Sequence, residues 1–287
     1  MAKKMISNSK DTKFNTSKGI IYFVLITFLI TYLMDLIIFL NGGLTYKYTF
    51  AFLIAMMFVP MIVSMALTKF YLKRSLSSFG LKKGSLKYYI FAYIYPFIAV
   101  ALGVILFLIM GLGKLRIDSN LIFPTQYGVP AYIFLINYAI APLFPNSIMA
   151  FGEEYGWRGY LQDLLQEKFS ILKTLLITGV IWGLWHAPLI AMGYNYNQYP
   201  VPGVFLFVLW ATFIGVFFGW LKIKSKSVFT AALAHGSLNA FIGFGIIFAE
   251  TNNQLLGIPF GLPGLLSLLL LALICLWDLR RSYPKNF

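Results

Sequence analysis

The chain has 287 residues, of which 60% are hydrophobic and 11% charged, and its mean hydropathy is +0.79. Soluble domains are nearer half apolar and a quarter charged, so this composition excludes a water-soluble globule and reads as a polytopic membrane protein. The net charge of +14 falls in clusters between apolar stretches, a topology signal that favours anionic lipid rather than nucleic acid.

In chain order, residues 1–18 form a basic, polar leader that is expected to stay cytosolic. Apolar runs long enough to cross a bilayer as helices follow at 19–40, 49–72 and 88–112, in an N-terminal membrane unit of three spans, 19–130. A second unit, 131–249, holds spans at 131–154, 172–192, 203–221 and 228–249. Residues 250–287 add the last span, 263–279, and a basic tail. Pro142 and Pro145 fall inside the fourth span and are expected to kink or break it. The one cysteine, Cys275, excludes a disulfide framework and a cysteine-based metal site.

With the N-terminus inside, 20 of the 23 lysines and arginines lie on cytosolic segments, and only Lys47, Lys114 and Arg116 lie outside. The expected fold is all-α: a polytopic membrane helix bundle of about eight transmembrane helices with both termini cytosolic.

Ionisable groups inside spans are costly and are functional candidates by default. Setting aside lysines at span ends, they are Asp35, the Glu153/Glu154 pair with Arg158, His186, and His235 with the amide Asn239. Asp35 takes no role in this reading. In "AFGEEYGWRGYLQDLL" the adjacent acids point about 100° apart on a helix, so they cannot share a partner face. Glu154 and Arg158, four apart with the acid first, are expected to ion-pair. Glu153 then faces the bundle interior with no partner on its own helix, placed to take a proton. The competing reading is a charge cluster at the cytosolic interface, with "GYLQDLLQEKF" continuing as an amphipathic surface helix.

"VIWGLWHAPLI" places His186 in the fifth span with Trp182 one turn earlier on the same face. "TAALAHGSLNAFIGFG" places His235 and Asn239 four apart on one face, among small residues that allow close helix approach. Each alone also fits interhelical hydrogen bonding. Together they are expected to converge with Glu153 on a hydrated cavity opening to the cytosol, which requires a kinked fourth span or a fifth span starting outside the membrane. The loop "GYNYNQYPVPG" after span five faces outward and is not expected to serve substrate access.

The stretch "EEYGWR" fits an EExxxR motif, "WGLWH" a variant of FxxxH, and "HGSLN" an HxxxN motif. Their order and the eight spans resemble the type II CAAX prenyl endopeptidases and their bacterial relatives, the CAAX-protease and bacteriocin-processing family of intramembrane endopeptidases. The resemblance covers 131–248, and the first three spans carry no signature of it. Trp182 stands where the family usually has phenylalanine, which keeps an aromatic shelf. The resemblance implies hydrolysis of a peptide bond in a membrane-associated protein or peptide, with no cofactor. Glu153 with His186 would activate water, His235 and Asn239 would stabilise the oxyanion, and Glu154 and Arg158 would hold the helix end. The alternative mechanism is a zinc ion on Glu153, His186 and His235, a legitimate catalytic shell. Against it, an HExxH motif is absent, and Asn239, a poor zinc ligand, shares the face of His235.

Two other functions compete. One is a non-catalytic membrane scaffold, a bacteriocin self-immunity factor or a regulatory partner of a membrane sensor or cell-wall enzyme. Relatives of that kind have in some cases lost the catalytic positions, and here all are present. The other is a transporter, which the lack of an internal repeat argues against. A composition rich in lysine, isoleucine, asparagine and phenylalanine points to an AT-rich bacterial genome, hence to a plasma membrane and an unprenylated substrate.

Overall fold

The computed structural model describes residues 2–116 and 131–287. Helix α1 (Ala2–Leu40) is followed by α2 (Thr49–Ala66), which runs through a widened turn to Tyr71, and by α3 (Leu86–Ile109). The next three helices are α4 (Ala131–Ile140), α5 (Ser147–Glu154) and α6 (Gln162–Gln166). They are followed by α7 (Ile171–Trp185), α8 (Ala187–Ala191), α9 (Pro200–Ser225), α10 (Val228–Phe248) and α11 (Leu262–Ser282). Five stretches are long and apolar enough to cross a membrane, Asn15–Leu40, Thr49–Tyr71, Leu86–Ile109, Pro200–Ser225 and Leu262–Ser282, and α7 and α10 are shorter apolar helices. The protein is a multi-pass helical membrane bundle. Its strand content among the described residues is one two-residue ladder, Lys114–Leu115 against Ala249–Glu250.

The fourth span is broken, as its prolines suggest. Between α4 and α5 the segment Pro142–Asn146 contains Phe144 in extended backbone (φ −153°, ψ 126°). Pro142 and Pro145 each lack an N–H and collide with the preceding turn, so a straight helix cannot continue. The fifth span is also discontinuous, which the sequence reading did not anticipate. Pro188 cannot donate to the carbonyl of Leu184, and that carbonyl instead accepts from the Tyr32 hydroxyl of α1 at 2.7 Å. The chain turns at His186.

The segment after Glu154 is not an amphipathic surface helix. Tyr155–Leu161 forms a widened, π-helical turn, and Trp157, Arg158, Tyr160 and Gln162 are all fully buried. This removes the interfacial charge cluster as an account of the acid pair.

Helices around the acids approach backbone to backbone. A Cβ at Gly152 would sit 2.6 Å from the Met57 carbonyl oxygen on α2, and one at Gly156 would sit 2.8 Å from that of Pro60. Gly179 and Gly183 play the same part between α7 and α9, where a Cβ would meet Thr212 Cα at 2.6 Å and Val208 Cα at 2.8 Å. Glycines spaced by four allow this contact, and "GEEYG" and "GVIWG" carry that signal in the sequence.

Candidate active site

Glu153 occupies the last turn of α5 and is buried. Its Oε2 accepts a hydrogen bond from the Trp182 indole Nε1 on α7 at 2.8 Å. The acid therefore has no partner on its own helix, as expected, but it is not partnerless. Trp182 supplies a donor that phenylalanine lacks, so the aromatic-shelf reading understated this residue.

His186 closes α7. Its Nδ1 lies 2.9 Å from the Trp182 carbonyl oxygen. A carbonyl only accepts, so this bond places the proton on Nδ1 and leaves Nε2 with its lone pair. The rings of Trp185, Phe207 and Trp182 surround the imidazole at 4.6, 4.9 and 5.4 Å between centroids.

His235, on α10, is held through Nδ1 by Glu154 Oε1 at 2.9 Å. The same oxygen accepts from Arg158 Nη1 at 2.9 Å. The expected Glu154–Arg158 ion pair is present, and its acid has a second duty, orienting His235. Arg158 is wholly buried, with its guanidinium 4.4 Å from the Trp182 ring centroid and 5.1 Å from that of Phe218. A Cβ on Gly215 would lie 3.0 Å from Arg158 Nη2, so the glycine makes room for the guanidinium. Glu154 Oε2 and Arg158 Nε and Nη2 have no hydrogen-bond partner among the described residues.

Glu153, Trp182, His186, His235 and Asn239 line one cavity of about 370 Å³. The structure thus brings together all four residues read as catalytic, while Glu154 and Arg158 stand behind His235. Asp35 does not join them: it is buried on α1, and neither of its oxygens accepts a hydrogen bond among the described residues.

Sequence reasoning missed much of the wall. Met56 and Met57 of α2 and Phe207 and Trp210 of α9 form apolar sides, and no motif marked them. Tyr194, Asn195 and Phe260 complete it from the loops after α8 and before α11. Tyr194 and Asn195 belong to the loop after span five, which the sequence reading did not assign to the site.

The three residues of the zinc alternative do not gather into a shell. Among the described residues no group of three His, Cys, Asp or Glu side chains is placed to hold an ion. One oxygen of Glu153 is already bonded to an indole N–H. Glu153, His186 and His235 line the cavity without forming such a group.

Residues 129–241 match the family model described as type II CAAX prenyl endopeptidase Rce1-like. The chain is 31% identical over 149 residues to CAAX prenyl protease 2 of Methanococcus maripaludis, covering 50% of this chain and 52% of that protein. It is 27% identical over 112 residues to lysostaphin resistance protein A of Staphylococcus haemolyticus, covering 38% of this chain and 28% of that protein. The chain thus spans about half or less of the length of these curated relatives.

Proposed function

We propose that the chain, whose residues 129–241 match the type II CAAX prenyl endopeptidase Rce1-like family model, is an intramembrane endopeptidase acting on a membrane-associated protein or peptide. The observation that carries this reading is the meeting of Glu153, His186, His235 and Asn239 in one cavity. A scaffold has no use for a carboxylate, two imidazoles and an amide converging on a space of substrate size.

The chemistry follows from the bonds already described. Glu153, with one oxygen fixed by Trp182, takes a proton from a water molecule, and the lone pair on His186 Nε2 orients that water. The water oxygen adds to the scissile carbonyl carbon. The developing oxyanion accepts from the Asn239 amide and from His235 Nε2–H. His235 donates there only as an imidazolium, because its Nδ1–H is committed to Glu154. The Glu154 carboxylate on the far side of the ring fixes its orientation. As the C–N bond breaks, the proton held by Glu153 passes to the leaving amine. The products are a carboxylic acid and an amine, and no covalent enzyme intermediate forms.

The likeness to lysostaphin resistance protein A favours a second reading, a resistance or immunity factor that does not hydrolyse peptides. The intact four-residue site supports hydrolysis over it. We place the protein in a bacterial plasma membrane, with the bilayer and an unprenylated peptide as its partners.

The test is a quenched-peptide assay on purified protein in detergent. Cleavage is expected to survive a strong zinc chelator. Loss of activity on chelation with recovery on added zinc would overturn the metal-free mechanism. In the same assay Trp182→Phe is expected to lower turnover about 10-fold or more, since a charge-assisted hydrogen bond is worth about 1.5–3 kcal/mol. The ring packing is retained, so thermal unfolding should shift little.

A further inference from the structure

We infer that the catalytic cavity opens to the extracytosolic side of the membrane and takes an extended apolar peptide segment presented at the outer leaflet. This rests on the reading of the cavity as a protease site and adds the side from which it is loaded.

The first observation is topological. With 20 of 23 basic residues assigned by the sequence to the cytosolic side, the segments around 42–48, 110–116, 192–199 and 249–261 lie outside. The second is the cavity wall. Tyr194, Asn195 and Phe260 come from two of those outer segments, and Leu53, Met56 and Met57 come from the outer half of α2. A second hollow of about 350 Å³ shares Asn195 and Phe260 with the first and is otherwise lined by outer residues such as Asn197, Thr251 and Gln254. The two hollows adjoin at Asn195 and Phe260, on the side of the outer loops. Among the described residues, none lining either hollow comes from the cytosolic segments 72–85, 155–170 or 222–227.

The third observation is that the inner side is closed. His235 lies eight residues beyond Ser227, a rise of about 12 Å, close to the middle of a hydrocarbon core about 30 Å thick. Packed around and behind it are Glu154, Arg158, Trp157 and Tyr160, all fully buried, with Phe218 stacked on its ring. Beyond that layer Tyr155 donates to the Leu76 carbonyl at 3.0 Å, Lys222 pairs with Asp163, and Arg74 pairs with Glu167 at 2.5 Å. A peptide would have to break these contacts to enter from the cytosol. From outside it meets Tyr194 and Asn195, and then an apolar basin of Met56, Met57, Phe207 and Trp210. That basin suits a bulky apolar side chain beside the scissile bond. The expectation of a cytosolic opening is replaced.

The test is cysteine accessibility in intact cells. Cys275 is buried and gives a silent background. Ile242→Cys places a thiol inside the cavity, Tyr194→Cys places one at its mouth, and Lys82→Cys places one on an exposed cytosolic loop. A membrane-impermeant maleimide is expected to label positions 194 and 242 in intact cells and position 82 only after permeabilisation. Labelling of position 242 only after permeabilisation would overturn the inference. These outcomes do not depend on catalysis. A second arm adds a charged, impermeant reporter peptide with an apolar core to right-side-out and inside-out vesicles. Cleavage confined to right-side-out vesicles is expected, and cleavage confined to inside-out vesicles would also overturn it. Outward labelling with cleavage in neither preparation would leave the opening standing and count against the proteolytic reading and the apolar-peptide substrate.

Discussion

Glu153→Gln is expected to reduce peptide cleavage by about 10²–10⁴-fold, the usual contribution of a positioned general base. The substitution is close to isosteric. Its amide oxygen can still accept from Trp182 Nε1, which now holds Glu153 Oε2 at 2.8 Å. Position and packing are therefore kept, and only the ability to take a proton is lost. Expression and thermal unfolding should match the wild type. Glu153→Asp keeps the base but withdraws it by one methylene, so it should retain more activity than the glutamine variant. If Glu153→Gln and wild type cleaved a peptide at the same rate, Glu153 would not be the base.

Glu154→Ala is expected to act differently, through stability first. It would leave the wholly buried guanidinium of Arg158 without its counter-ion and His235 Nδ1 without its acceptor. Breaking a buried pair from one side costs about 3–5 kcal/mol, because the remaining charge is uncompensated. The melting temperature in detergent should fall well below that of Glu153→Gln. Replacing both partners, Glu154→Leu with Arg158→Met, should recover much of that loss, since no charge is stranded. It should not restore cleavage, because His235 would still lack the carboxylate that orients its ring. A double variant with full activity would remove Glu154 from the mechanism.

How far the molecule could be read from its sequence depends on the range of each interaction. Membrane spans are local: an apolar run and its flanking lysines are contiguous, so the five long apolar helices among the described residues were legible. The break at Pro142 and Pro145 is equally local, as is the Glu154–Arg158 pair four residues apart. The bend at His186 was overlooked although Pro188 marks it, because the apolar run continues through it. The link between His235 and Glu154 spans 81 positions, and no periodicity within either helix announces it. The burial of 155–165 was misread for a related reason. Its mix of tyrosine, arginine, glutamine and leucine looks amphipathic, and its interior position is imposed by α2, α7 and α9 around it. Trp182 was recognised as a ring but not as a donor, since the target of its N–H lies on another helix. The outer loops that complete the cavity have no chemical signature and are brought to the site only by the packing of the bundle.

The account stands most directly on proteolysis that depends on Glu153, and one comparison in cells addresses it. Membrane-associated peptides and protein termini would be catalogued by mass spectrometry from cells expressing wild type, Glu153→Gln or Glu154→Ala, at matched protein levels for the first two. The account predicts a set of cleaved termini present in wild type, absent in Glu153→Gln, and bearing a bulky apolar residue at the cut. Glu154→Ala should show the same loss together with reduced abundance of the protein. Identical termini in wild type and Glu153→Gln would contradict the enzymatic reading and leave the resistance or immunity reading in its place.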